Sequence, residues 1–133
     1  DLVIVKADYG EGKGAGWLTS FTVACQDSNG NLLELGKVGS GLKEKEEEGT
    51  TFLEVTNLLK ILIISTEGKT VIVKPKIIVE VAFEEIQSSN EYSSGYALRF
   101  PKILVLRNDK GLKDISLLEE IKKAYEMQRN RNK

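Results

Sequence analysis

Short apolar runs separated by glycine turns, one helical pattern after the third run and a second at the end predict a mainly β domain built as a Greek-key barrel. A chain of 133 residues can bury one modest core and has no room for a second, so a single domain is expected.

Residues 2–9 open the pattern as a strand rich in Val and Ile, and residues 17–26 form a second strand after a glycine-rich link. Ser28-Asn29-Gly30-Asn31 is a hairpin turn, because Asn-Gly tolerates positive φ, and residues 32–38 return as a third strand. Thr51 followed by Glu54 is a capping box; Phe52, Val55, Leu58, Leu59 and Leu62 then recur at helical spacing, which places a helix across one end of the sheet. Residues 70–74 and 77–86 read as strands with Pro75 forcing a break between them, and Gly68-Lys69 reads as a turn between helix and strand. Residues 103–106 close the set. Ser116 with Glu119 repeats the capping pattern, Leu118, Ile121 and Tyr125 line one face of a C-terminal helix, and residues 129–133 look like a frayed basic tail.

This order of elements fits an OB-fold β-barrel with five or more strands, a helix between strands 3 and 4 and a C-terminal helix; an SH3-like barrel is the competitor. The expected division is 1–113 for the barrel and 114–133 for a helix and tail packed on or beside it.

Composition excludes several function classes. The chain has no His, which removes Ser-His-Asp and Cys-His nucleophile arrangements and the commonest zinc-ligand sets. Its single Cys25 lies in an apolar strand and reads as a small buried thiol, in keeping with an intracellular setting. Glu80 and Asp109 are isolated carboxylates, so no metal site is expected. No apolar run approaches the roughly 20 residues a membrane span needs, so no membrane partner is expected. Asp1 stands directly inside a strand pattern without an initiator Met, as in a piece of a longer protein. Gly10-x-Gly12-x-x-Ala15 satisfies a loose dinucleotide fingerprint, but a strand follows where that fingerprint needs a helix N-terminus. Gly68-Lys69-Thr70 mimics the end of a Walker A loop, yet Ile63 stands where the first glycine must be.

The net charge of −1 conceals a polarity. Residues 95–113 carry Arg99, Lys102, Arg107, Lys110 and Lys113 against Asp109 alone, whereas residues 43–48 are an acidic run that reads as a solvated segment. Within the basic segment, Ile103-Leu104-Val105-Leu106 is apolar at both parities, which predicts a strand covered on both faces with only its charged ends wet. At roughly 3.3 Å per residue, Arg99 and Arg107 would lie about 26 Å apart on a straight strand, too far to grip one small ligand together. Two separate anionic contacts are expected. The glycine-rich link, with Lys13, could bring backbone amides close to a further phosphate.

Arg99-Phe100-Pro101-Lys102, a short apolar strand, then Arg107-Asn108-Asp109-Lys110 resembles motif VI of the ATP-dependent DNA ligases. The resemblance extends to residues 1–5 with Gly10-Glu-Gly12-Lys13-Gly-Ala-Gly16, to residues 36–41, and to residues 79–81 and 85–89 followed by Tyr92-x-Ser94-Gly95, in the family's order over about 110 residues. It implies the C-terminal domain of a ligase of archaeal or eukaryotic type; the helix at 116–128 points to the archaeal one. The adenylylated lysine would lie in a preceding nucleotidyltransferase domain, so this piece alone should be inactive.

By the resemblance, Arg107 and Lys110 would meet the ATP phosphates, with Asp109 orienting cations, while Arg99, Phe100 and Lys102 would meet the minor groove of nicked double-stranded DNA. Lys102 stands where the family usually has Arg, keeping charge but losing bidentate geometry. The full enzyme would use ATP and Mg2+ in replication, repair and recombination, with the sliding clamp reached through other domains. Two alternatives stand beside this: a free-standing OB module for single-stranded nucleic acid, and the OB domain of an RNA-capping guanylyltransferase.

Overall fold

The computed structural model describes residues 1–11, 16–39 and 51–131, leaving Lys13, most of the glycine-rich link, Ser40, Gly41 and the acidic run 43–48 outside the described residues. Strands β1 (Leu2–Tyr9), β2 (Leu18–Gln26) and β3 (Leu32–Val38) run as consecutive antiparallel neighbours. The β2–β3 turn is stitched by Asp27, whose carboxylate accepts the Asn29 and Asn31 N–H groups at 2.9 Å each, and Gly30 takes φ +83°, the conformation that suits glycine.

Helix α1 (Phe52–Lys60) follows β3. Thr51 caps it by accepting the Glu54 N–H at 3.0 Å, worth about 1 kcal/mol. Val55 and Leu59 are fully buried, and Thr56 Oγ1 donates to Phe52 C=O and accepts the Leu18 N–H, fastening the helix to the start of β2. Strands β4 (Ile63–Glu67), β5 (Thr70–Val73), β6 (Ile78–Ala82), β7 (Glu85–Ser88), β8 (Tyr96–Arg99) and β9 (Lys102–Leu106) come next, and α2 (Leu118–Arg131) ends the described chain.

Long β1 organises the sheet by changing neighbour along its length. Its second half pairs with β5 and its first residues with β6, giving the order β3-β2-β1-β5-β4 with β6 branching from β1 and β9 pairing with β6. β7 and β8 form a separate two-stranded sheet. The main core holds Ile4, Leu18, Phe21, Leu35, Leu59 and Ile103; a smaller cluster of Val3, Ala24, Ile78 and Ile115 lies apart from it. The 3-10 turn Leu112–Asp114 carries Ile115 to that second cluster, and Gln26 Nε2 holds it by donating to Leu112 C=O and Ile115 C=O. β1 and β2 are therefore covered on both faces where the two clusters overlap, Val3 and Ala24 entering the smaller one while Ile4, Val23 and Cys25 enter the main core.

The barrel, the helix between strands 3 and 4 and the C-terminal helix are as expected, and several details differ. The helix stops at Lys60, and Ile63–Glu67 is a strand paired with β5, so Gly68 turns a hairpin rather than joining helix to strand. The expected strand 77–86 is two strands in two sheets, parted at Phe83-Glu84. At α2 the cap sits one residue late: Leu117 N–H donates to Glu120 Oε1, while Ser116 N–H is taken by Asp1 C=O. The helix continues through Arg131 rather than fraying at 129.

β9 differs most. Leu106 pairs with Val79 and Val105 with Glu80, but Ile103 pairs with Val81, so Leu104 is an extra residue bulged out of the ladder. A bulge puts two successive side chains on one side. Ile103 and Leu106 consequently enter the core while Leu104 and Val105 are 51% and 39% exposed, so this strand is not covered on both faces.

Cys25 is fully buried, and burial pushes its thiol up to about 11. Only the thiolate is nucleophilic, so thiol reagents at pH 8 are expected to leave Cys25 unlabelled until the protein unfolds. Labelling of folded protein at the rate of a free thiol would contradict that burial.

Candidate nucleic-acid and phosphate-facing site

β9 carries a basic group at each end. At its start, β8 ends at Arg99, Phe100 and Pro101 turn the chain, and Lys102 begins β9. Arg99 Nη1 meets Glu85 Oε1 at 2.6 Å across the β7–β8 pair, and its guanidinium lies 5.1 Å from the centre of the Phe100 ring. Phe100 is 63% exposed and adopts φ +52°, the only non-glycine residue with positive φ among those described. A bulky side chain in that region costs roughly 1–2 kcal/mol, and here it is spent holding an aromatic ring in solvent.

At the far end, the Arg107 N–H donates to Ile78 C=O, which continues the β6–β9 ladder one residue beyond the strand. Its guanidinium is half-buried between two carboxylates, with Nη1 3.4 Å from Asp1 Oδ1 and Nε 3.5 Å from Asp109 Oδ1. Asp109 is well exposed, and the Lys110 N–H closes the turn on Arg107 C=O. Among the described residues neither Lys102 nor Lys110 has a salt bridge, so each end presents one carboxylate-held arginine and one unpaired lysine.

The structure thus brings Arg99, Phe100 and Lys102 together, and separately Arg107, Asp109 and Lys110; Lys13 lies outside the described residues. The sequence alone gives no site role to the acidic partners Glu85 and Asp1. Cross-strand position supplies the first, Glu85 facing Arg99, and no sequence signal marks it.

A second polar group lies in the sheet. Lys37 Nζ reaches Asp8 Oδ2 at 3.1 Å, and Thr70 Oγ1 donates to Asp8 Oδ1, tying β1 to β3 and β5. Burial alone would raise the Asp8 carboxyl, but these hydrogen bonds and the Lys37 charge outweigh it and hold the group below its ordinary value. A depressed carboxyl contributes stability above its unfolded pKa and loses it as pH falls through the folded one, so this network weakens on the acid side.

Among the described residues no group of three His, Cys, Asp or Glu side chains could hold a metal ion, and no helix is long and apolar enough to cross a membrane.

The fold defines the class first. The ligase domain of M. tuberculosis LigD superposes with a TM-score of 0.67 at 24% identity, covering 86% of this chain and 37% of that one, and a mycobacterial DNA ligase D complexed with ATP and MES does so at 0.61 and 23%, covering 86% and 36%. The chain is an OB-fold barrel and shares its fold with part of each of these two structures. A profile for the ATP dependent DNA ligase C terminal region matches residues 14–110, and the chain belongs to that family.

The DNA ligase of Nanoarchaeum equitans is 60% identical over 132 residues, 97% of this chain and 23% of that protein. The DNA ligase of Methanococcus maripaludis strain S2 is 44% identical over 131 residues, 98% of the chain and 22% of that protein, and that of Archaeoglobus fulgidus is 43% identical over 129 residues, 96% and 22%. The chain therefore spans less than a quarter of the length of these relatives. The RNA-capping alternative falls with this membership.

Proposed function

We infer that this barrel is the mobile C-terminal domain of an ATP-dependent DNA ligase acting in replication, repair and recombination. It would present the two ends of β9 in turn to two polyanions: the ATP phosphates held by the nucleotidyltransferase domain, and the backbone of nicked duplex DNA. The observation that carries this is the separation itself, two basic groups at opposite ends of one five-residue strand.

For the first step, Arg107 and Lys110 suit a phosphate chain. Lys110 is already unpaired, and Arg107 has two carboxylate partners from which a phosphate could draw it. Bound ATP supplies the adenylyl group and a pyrophosphate leaving group; the two cations stabilise negative charge that grows as that group departs. Asp109 lies in ion-pair contact with Arg107 Nε and helps keep the fork aimed, while a lone exposed carboxylate does not suit it to holding Mg2+, which falls to other parts of the enzyme.

In the second step, Arg99 and Lys102 fix the backbone while Phe100 enters the minor groove, where an apolar ring can part base steps without reading sequence. The sliding clamp would be engaged by other domains. The archaeal relatives favour a cytoplasmic setting in a prokaryote, and the division at residue 113 separates a barrel that carries both ends of β9 from a helix that braces β7.

A ligase truncated before this domain is expected to recover self-adenylylation when the wild-type domain is supplied in trans or rejoined through a linker, and to recover poorly with Lys110→Ala. Full recovery with Lys110→Ala would remove Lys110 from the step.

A further inference from the structure

Phe83, which in the sequence disappears into an apolar run, stands beside Phe100 at the surface. The β6–β9 ladder ends on the pair Ala82 and Lys102, and the β7–β8 ladder begins on the pair Glu85 and Arg99. Between them, Phe83-Glu84 and Phe100-Pro101 are two two-residue crossings at the same level, joined by the Glu84 N–H donating to Arg99 C=O at 2.9 Å. Each crossing carries one exposed aromatic ring, Phe83 at 40% and Phe100 at 63%. Together with Lys102 they line one pocket of about 230 Å³.

We propose that Phe83 is a second minor-groove contact, working with Phe100 as a paired aromatic wedge on nicked duplex DNA. This rests on the reading of Phe100 given above. Three features favour DNA as the occupant. The two rings share one ridge that the left-handed backbone at Phe100 keeps in solvent. The ridge is bordered by Arg99 and Lys102, cations that can meet the phosphates on either side of a narrow groove. Arg99 is held by Glu85 and Lys102 has no salt bridge among the described residues, so charge comes from the border of the ridge and Phe83 itself adds only apolar contact. That last point separates Phe83 from an ordinary phosphate-binding residue, because apolar insertion releases no counterions.

Phe83 also faces a groove shared with Ala124, Met127 and Gln128 of α2, so its truncation could act by loosening the helix. The test therefore compares Phe83→Ala, Phe100→Ala, Lys102→Ala and Met127→Ala in the intact ligase. Binding to a nicked duplex is measured across a salt series, with 2-aminopurine placed at the base steps beside the nick to report unstacking.

Phe83→Ala is expected to weaken binding by about tenfold at every salt concentration, with an unchanged slope against log salt and a reduced 2-aminopurine signal. Lys102→Ala should lower the slope, and Met127→Ala should bind within about twofold of wild type. Wild-type binding by Phe83→Ala alongside weakened Phe100→Ala would overturn the paired wedge and leave Phe100 standing. Wild-type binding by both would overturn the minor-groove reading itself. An equal loss in Met127→Ala would assign Phe83 to helix packing.

Discussion

Arg107→Ala in the intact ligase is expected to slow self-adenylylation by about 100-fold or more, while sealing of a nick supplied already adenylylated changes by only a few-fold. Removing one preorganised donor aimed at developing charge costs about 10²–10³ in rate, and Arg107 is positioned as such a donor should be. Its backbone is pinned to Ile78 C=O and its guanidinium is held at two separate nitrogens, so little rotamer freedom remains to be lost when a phosphate replaces a carboxylate. Arg107→Lys should recover only part of the rate, because an ammonium keeps the charge but not the fork. The substitution also leaves the half-buried Asp1 carboxylate without its cation, so thermal melting must accompany the kinetics. Rapid-quench measurement of each step decides the matter: equal slowing of both would sink the separation of roles between the two ends of β9.

Much of this architecture is legible in the sequence wherever a local rule operates. The β2–β3 hairpin is readable because Asp27, Asn29 and Gly30 satisfy the turn among themselves, and α1 because Thr51 caps it before residues at helical spacing reach the core. Tertiary pairing overrides local pattern elsewhere. The run at 61–64 extends the apolar character of α1, so β4 is invisible until β5 supplies its partner.

The bulge at Leu104 leaves no composition signal, and without it four apolar residues imply a strand buried on both sides when two of them face solvent. The site shows the same division. The cations of both basic groups and the neighbouring Asp109 are evident from their spacing, whereas the other carboxylates that hold Arg99 and Arg107, Glu85 and Asp1, lie 14 and 106 residues away along the chain. Phe83 is hidden for the same reason: only the hand-over between two sheets makes the middle of an apparent strand into an exposed turn.

Phe100→Gly should separate stability from activity, and it is the sharpest test of why a phenylalanine occupies a left-handed position. Glycine relieves roughly 1–2 kcal/mol of backbone strain at φ +52°. Against that stand about 0.5–1 kcal/mol of extra unfolded-state entropy and about 0.5–1 kcal/mol of lost contact with the Arg99 guanidinium. Because the ring is 63% exposed, little buried area is forfeited, and the opposing effects leave stability within about 1 kcal/mol of wild type. A contact made by an aromatic ring against bases is worth about 1–3 kcal/mol, so sealing of a pre-adenylylated nick at subsaturating DNA should fall by about 5–150-fold. Calorimetric melting and single-turnover sealing on one preparation measure the two quantities together. A variant that melts several kcal/mol less stable would show that the ring supports the fold, and one that seals at the wild-type rate would leave its strained conformation without a role in gripping DNA; an unchanged melt beside a large sealing defect is what a turn shaped for its substrate requires.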